Sequence, residues 1–279
     1  MRVRYSFSSR KTGHIKNIRK QRKKFPEITE KIMNDSDILI EVLDARFVKK
    51  TKSREIEEFV NKSEKKIIYV INKVDLIEKK DLDEYPKESV FVSCKERGGI
   101  SELRNRIKII ASQLKKEKVV VGVLGYPNTG KSSLINLLIG KSSAPTSSQA
   151  GFTKNLQKLR LARGIVLLDS PGVIPREEYS SIDFKKIARH AQIGARTYSK
   201  VKDPEHVIVE IMKEYPGVLE KHYGIDSEGN TEILLEILGR KKSFLKKGGI
   251  VEVDKTSRFI LRDWQEGKIK IGKQDKESE

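Results

Sequence analysis

Residues 119–140 read VVVGVLGYPNTGKSSLINLLIG. Val119 to Leu124 form a short, almost wholly apolar run, the pattern of a strand buried on both faces. Gly125-x-x-x-x-Gly130-Lys131-Ser132 follows, which is the spacing of a Walker A phosphate loop. Beyond it Leu134, Ile135, Leu137 and Leu138 recur at helical spacing, and Gly140 suits a C-terminal cap. The chemistry explains the residue types. Glycine at 125 and 130 lets the backbone curl around phosphates with no Cβ in the way. The N–H groups at the start of the helix point at the phosphates with the helix dipole behind them. Lys131 can reach the β- and γ-phosphates and the Ser132 hydroxyl can ligate Mg²⁺; Pro127, Asn128, Thr129, Gly130 and Ser133 complete the wrap. The bland alternative, a chance glycine-rich turn, would have to match four fixed positions and both flanking elements.

Outward from this stretch, other predicted strands end in polar motifs. Residues 26–37 read as a short helix, and residues 38–43, ILIEVL, as a strand running into Asp44-Ala45-Arg46. Open α/β sheets place ligand-facing residues at such strand ends; the plain alternative is an ordinary turn with a surface arginine. A helix over 51–63 presents Ile56, Phe59 and Val60 on one face. The strand 67–71, IIYVI, ends in Asn72-Lys73-Val74-Asp75. A carboxylate at Asp75 can accept from guanine N1–H and the exocyclic amine, donors that adenine lacks, and so select GTP over ATP. Asn72 would tie this loop to the phosphate loop, and the Lys73 stem would cover the base. A strand at 89–92 ends in Ser93-Cys94-Lys95, whose Cys94 N–H can face guanine O6 with the Lys95 stem against the base. A helix over 100–115 follows. After the phosphate-loop helix comes a polar stretch, 141–155, containing Thr153, whose hydroxyl could complete Mg²⁺ coordination. Residues 156–161 and 164–168 read as a hairpin that ends in Asp169-Ser170-Pro171-Gly172. Asp169 can hold Mg²⁺ through water, and the Gly172 N–H can meet the γ-phosphate.

The motif set is that of a translation-factor-like GTPase in the wrong order, because N-K-x-D and S-C-K precede the phosphate loop. A circular permutation leaves the site intact, since strand ends meet in space whatever the chain order. The order, Asp44-Ala45-Arg46, GYPNTGKSSLIN and DSPG together resemble the YlqF/YawG-type circularly permuted GTPases of ribosome assembly. The segments AQIGAR (191–196), DPEHVIVEIMKEYP (203–216) and RFILRDWQEGKI (258–269) resemble that family's helical appendage. The resemblance implies GTP/GDP as ligand, Mg²⁺ as cofactor, K⁺ held by Asn128, and rRNA of the large ribosomal subunit as partner. It also implies that Gly13-His14 carries a catalytic histidine, alongside Lys131, Thr153 and Gly172; read by itself, His14 is a solvated side chain in a basic arm. Val173 stands where many GTPases have a water-orienting glutamine, and an apolar side chain cannot orient water. Unassisted turnover is therefore expected to be slow, of the order of 10⁻⁴ to 10⁻³ per second.

Composition bounds the rest. The chain has 279 residues and a net charge of +19, which points to a polyanionic partner. Residues 1–24 hold ten Lys/Arg and no acid, whereas residues 180–279 hold 20 basic against 17 acidic residues. One cysteine excludes an internal disulfide and suits a reducing, cytoplasmic setting. No apolar run is long enough to span a membrane, and the N-terminus lacks the apolar segment of a secretory signal. The expected organisation is a basic arm (1–24), a circularly permuted α/β GTP-binding domain with a mostly parallel sheet (25–178), and an all-helical C-terminal appendage (179–279), in a monomer. In the appendage Asp183, Asp203 and Thr231 are candidate N-caps. Ile208, Ile211 and Met212, then Ile233, Leu234, Ile237 and Leu238, form apolar stripes expected to pack in a core. The acid-free cluster Arg240, Lys241, Lys242, Lys246 and Lys247 is either an RNA contact or a solvated face. Because the D-x-x-G loop leads directly into the appendage, γ-phosphate ordering of residues 169–180 is expected to change the appendage's pose. Two other function classes fit the sequence: an RNA-binding assembly placeholder that uses GTP as a binding switch, and an ATP-dependent phosphotransferase, against which Asn72 to Asp75 argue.

Overall fold

The computed structural model describes residues 28–63, 65–77, 85–140, 157–169 and 184–271. Helix α1 (28–35) leads into β1 (Ile38–Asp44), all seven residues of which are buried. A 3-10 turn (Ala45–Phe47) and a one-turn helix α2 (Val48–Thr51) follow, then α3 (Arg54–Ser63), β2 (Lys66–Asn72) and β3 (Val90–Val92). After α4 (Ile100–Gln113) come β4 (Val119–Leu124), α5 (Lys131–Ile139), β5 (Gln157–Ala162) and β6 (Ile165–Asp169). The C-terminal helices are α6 (Phe184–Gln192), α7 (Pro204–Glu214), α8 (Val218–Tyr223), α9 (Thr231–Lys241) and α10 (Val253–Gln265).

The six strands form one sheet in the order β3-β2-β1-β4-β6-β5, parallel except for the β5–β6 hairpin. Its interior strands are apolar on both faces because helices cover both. On one side α4 and α5 pack Leu103, Ile107, Leu134, Ile135 and Leu138 against Ile38, Ile40, Val121 and Val123. On the other, α1 and α3 pack Ile32, Met33 and Ile56 around Leu39 and Leu124. The phosphate-loop helix ends as expected on Gly140 at φ 70, and Arg104 of α4 donates to the Leu137 and Leu138 carbonyls at 3.2 and 2.6 Å, placing a cation at the negative helix end. The all-helical C-terminal domain closes on a core containing Ile208, Ile211, Leu234, Leu238, Ile260 and Trp264, and that core also takes in Phe47 and Tyr126 from the sheet side.

Three expectations are corrected. The helix predicted over 51–63 is two helices: Lys52 is extended, and the Ser53 N–H is drawn away to Glu41 Oε1 at 2.7 Å. Asn230, and not Thr231, caps α9, accepting from the Glu232 and Ile233 N–H groups at 2.9 and 3.3 Å. Ile233 and Ile237 are 43% and 40% exposed, so only Leu234 and Leu238 of that stripe reach the core. Asp203 does cap α7, accepting from the His206 N–H at 3.1 Å.

Glu41 lies inside β1 with no solvent exposure, and its Oε2 has no hydrogen-bond partner among the described residues. Burial, reinforced by the Glu57 charge, pushes its carboxyl up to about 8 against the opposing Ser53 N–H and Lys52. Between its ordinary value of 4.5 and about 8 the folded protein therefore holds a proton that the unfolded chain has released, and stability falls as pH rises across that window. Glu41→Gln keeps the acceptor for Ser53 and cannot ionise. The variant is expected to melt with the wild type near pH 5 and several degrees above it at pH 8.5, a gain of roughly 3–5 kcal/mol. Parallel melting curves across that range would show that Glu41 ionises without cost.

Candidate functional site

The sheet register lines up the C-terminal strand ends. Asp44 stands level with Asn72, and Asn72 with Val92, while Asp169 pairs with Val123 one residue before β4 finishes. The loops that follow β1, β2, β3 and β4 thus open along the edge where β6 ends in Asp169, and the predicted motifs of the described residues meet there.

The phosphate loop bends as its glycines require. Gly125 and Gly130 have φ of 141° and 98°. A Cβ on Gly125 would lie 2.5 Å from the Val42 carbonyl oxygen, and one on Gly130 would lie 2.1 Å from Asn72 Nδ2. The second clash reveals a role for Gly130 that phosphate approach alone does not: it admits the Asn72 amide. Asn72 Nδ2 donates to the Thr129 carbonyl at 2.8 Å, and Asn72 Oδ1 accepts from the Cys94 N–H at 3.2 Å. One buried amide therefore joins three loops. The Cys94 N–H expected to face guanine O6 is here turned to Asn72, and burial pushes the Cys94 thiol up to about 12, which makes it a poor nucleophile. Lys95 is exposed beside it. Ser93 donates through its hydroxyl to Asp75 Oδ1 at 2.7 Å and receives the Glu96 N–H at 3.0 Å, so Asp75 is held by a neighbour that is itself held.

Lys131 is buried, and its Nζ donates to the Gly125 and Tyr126 carbonyls at 2.9 and 2.7 Å. Burial lowers its pKa to about 8, with Lys73 adding to the shift and Asp169 opposing it. Ser132 Oγ donates to Asp169 Oδ2 at 3.4 Å, while Asp169 Oδ1 is buried with no hydrogen-bond partner among the described residues. Burial raises the Asp169 carboxyl to about 6 against the Lys131 charge and the Ser132 bond. An orphaned carboxylate oxygen next to a hydroxyl at the phosphate-loop helix suits a hard divalent cation, and these two residues fit Mg²⁺. Thr129 is buried with its hydroxyl donating to the Tyr126 carbonyl at 3.0 Å; Pro127 is buried, and Ser133 is half-buried in the first turn of α5. Asn128, at φ 61, donates through Nδ2 to the Gly194 carbonyl at 2.8 Å. His14, Thr153, Gly172, Val173, Asp183 and the stretch leading from Asp169 to α6 lie outside the described residues.

The plain alternative for Asp44-Ala45-Arg46, an ordinary turn with a surface arginine, is overturned: Arg46 is only 3% exposed. Its guanidinium spans the Asp44 carboxylate, Nε to Oδ1 at 3.0 Å and Nη2 to Oδ2 at 2.9 Å, and Nη1 donates to the Trp264 carbonyl at 2.8 Å. Lys73 Nζ reaches Asp44 Oδ2 at 2.7 Å. Complete burial opposes the Asp44 charge most strongly, yet the Arg46 and Lys73 cations overcome it and hold the carboxyl well below the usual range. The sheet meets the C-terminal helices elsewhere too: Lys50 pairs with Glu214 and donates to Gln192 Oε1 at 2.7 Å, and the Phe47 ring stacks on Trp264 with centroids 6.0 Å apart. Sequence reasoning did not single out this junction, although the three segments compared with the helical appendage hold its partners: Gln192 in 191–196, Glu214 in 203–216 and Trp264 in 258–269.

A mostly parallel sheet, a phosphate loop joined by a buried asparagine to the Asn72–Asp75 and Ser93–Lys95 loops, and an all-helical C-terminal domain define a GTP-binding protein of the phosphate-loop class. A family model described as 50S ribosome-binding GTPase matches residues 120–238. The chain is 37% identical over 263 residues to an "Uncharacterized GTP-binding protein" of Methanocaldococcus jannaschii, covering 91% of this chain and 68% of that one. It is 31% identical to nuclear GTP-binding protein NUG1 of Saccharomyces cerevisiae, covering 90% of this chain and 56% of the relative, so it spans about two thirds of the archaeal protein and little more than half of the yeast one. The structure of GNP-bound YlqF from T. maritima superposes with a TM-score of 0.63 at 22% identity, over 88% of this chain and 94% of that one, and shares the fold. The chain belongs to the YlqF/YawG-type circularly permuted GTPase family.

Proposed function

We propose that the protein binds GTP, hydrolyses it to GDP and phosphate, and uses that cycle in assembly of the large ribosomal subunit. The observation that carries the reading is the Asn72 bridge, which fixes the base loop against the phosphate loop so that one guanine nucleotide spans both. In this reading Asp75 accepts from the guanine N1–H and exocyclic amine, and Lys131 exchanges its two carbonyl partners for β- and γ-phosphate oxygens. Ser132 and Asp169 would hold Mg²⁺, with Thr153 and the Gly172 N–H joining at the γ-phosphate; the ion, when bound, offsets charge between the β- and γ-phosphates. Water attacks in line with the leaving oxygen. Asn128 would take K⁺, and His14 would assist catalysis.

Support for an rRNA partner comes from charge and family. The chain carries +19, ten cations crowd residues 1–24, and Arg240, Lys241, Lys242, Lys246 and Lys247 are exposed around the end of α9. The matched family model is described by 50S ribosome binding. No helix among the described residues is long and apolar enough to cross a membrane; a cytoplasmic monomer is the working assignment. The proposal is tested by GTP hydrolysis in potassium and in sodium buffer, with and without purified large subunits. The expected result is stimulation by the subunit that is lost in sodium. Stimulation in both buffers removes potassium from the account. No stimulation by mature or precursor subunits moves the reading to an assembly placeholder whose turnover is incidental.

A further inference from the structure

Lys73 occupies an unusual place. It sits in the left-handed region at φ 66, ψ 34, a conformation that residues with a Cβ seldom adopt without support. Its Nζ is held by Asp44 Oδ2 at 2.7 Å. Asp44 in turn is fully buried at the end of β1, and accepts at Oδ1 from both the Arg46 N–H, at 3.1 Å, and Arg46 Nε, at 3.0 Å. The Asp44 N–H donates to Thr51 Oγ1 at 3.2 Å, so the residue is anchored through its backbone as well. Strain at a candidate ligand loop that the surroundings over-determine is a pointer to function.

We propose that Asp44 is the positioning residue of the guanine loop: it pins Lys73 with its stem along the purine face, and Arg46, anchored on the Trp264 carbonyl of α10, fixes Asp44. This inference rests on the guanine-nucleotide reading above and deepens it. Asp44 acts through Lys73, which would itself lie along the base. A carboxylate shared by two cations holds both in one geometry, because moving either leaves a buried charge short of a partner. Arg46 adds a direction to this arrangement. A guanidinium can span both carboxylate oxygens and still aim Nη1 at a third acceptor, which an ammonium cannot. The base loop is thereby braced against the C-terminal helices, and nucleotide affinity depends on a contact made by a helix distant in the chain.

The test is a thermodynamic cycle on the full chain, read by titration with a fluorescent GDP analogue. Asp44→Asn and Lys73→Ala are each expected to weaken binding about tenfold, and the double variant is expected to bind no more weakly than Lys73→Ala alone, because Asp44 has nothing left to position. Losses that multiply in the double variant overturn the proposal. Should Asp44→Asn fail to give a cooperative melt, Arg46→Lys serves instead, since it keeps a cation on Asp44 while losing the reach to Trp264. It is expected to weaken GDP binding three- to tenfold in the wild-type background and not at all in the Lys73→Ala background. A folded Arg46→Lys protein with unchanged GDP affinity overturns the proposal. A wild-type chain that binds no GDP overturns the nucleotide reading itself, whereas a wild type that binds GDP with a multiplicative cycle sinks only the role given to Asp44.

Discussion

Asp75→Asn is expected to reverse the base preference of the protein, weakening GTP about 10²- to 10³-fold and letting xanthosine triphosphate take its place. Asp75 is half-buried, and Ser93 Oγ donates to its Oδ1 at 2.7 Å, which fixes the plane of the carboxylate. A guanine held against this carboxylate would offer it two donors, N1–H and the exocyclic amine. Each bond from a neutral donor to a charged acceptor contributes roughly 1.5–3 kcal/mol, so losing or inverting the pair costs about 3–5 kcal/mol. The asparagine amide presents a donor where xanthine has an oxygen, and the mismatch becomes a match. Competition of GTP, ATP and xanthosine triphosphate against a fluorescent nucleotide reads the result. A variant that still prefers GTP would remove Asp75 from base recognition.

Lys131→Met is expected to lower GTP hydrolysis about 10²- to 10³-fold while the protein stays folded. The folded state tolerates the change because, among the described residues, the ammonium is held by two neutral carbonyls, of Gly125 and Tyr126, and by no buried carboxylate that its loss would strand. Methionine matches the buried stem. What disappears is the charge that would meet the γ-phosphate as negative charge develops on it. Burial already makes that charge expensive, lowering the lysine to about 8, and a buried cation that bonds no carboxylate among the described residues is better suited to a ligand than to stability. Single-turnover hydrolysis alongside a thermal melt separates the two effects. Hydrolysis within threefold of wild type would contradict the role given to Lys131.

Much of the nucleotide-binding half was legible because strand ends, glycines and short polar motifs encode it locally. Val119–Leu124, Gly125, Gly130 and Gly140 are where the spacing places them, and the link from Asn72 to the phosphate loop is present as a bond to the Thr129 carbonyl. What was not legible depends on contacts distant in sequence. Nothing near Arg46 indicates that its partner is the carbonyl of Trp264, 218 residues away, so a functional-looking Asp-Ala-Arg could equally be a turn. Ile233 and Ile237 obey helical periodicity, yet α9 turns them outward, and periodicity cannot say which part of a wide apolar stripe finds a neighbour. The cap at Asn230 won over Thr231 because the helix begins one residue earlier than the threonine suggests, and neighbouring capping residues offer the same signal. The break between α2 and α3 arises from the buried Glu41 capturing the Ser53 N–H, a tertiary event with no trace in the 51–63 pattern.

A guanine nucleotide is expected to govern association with the large ribosomal subunit. Co-sedimentation of the protein with purified large subunits, or their precursors, in the presence of a non-hydrolysable GTP analogue or of GDP tests it most directly. The prediction is retention on the particle with the analogue and release with GDP, with the difference abolished in Asp75→Asn and restored there by the xanthosine analogue. Equal association in both nucleotide states, or none in either, would contradict it.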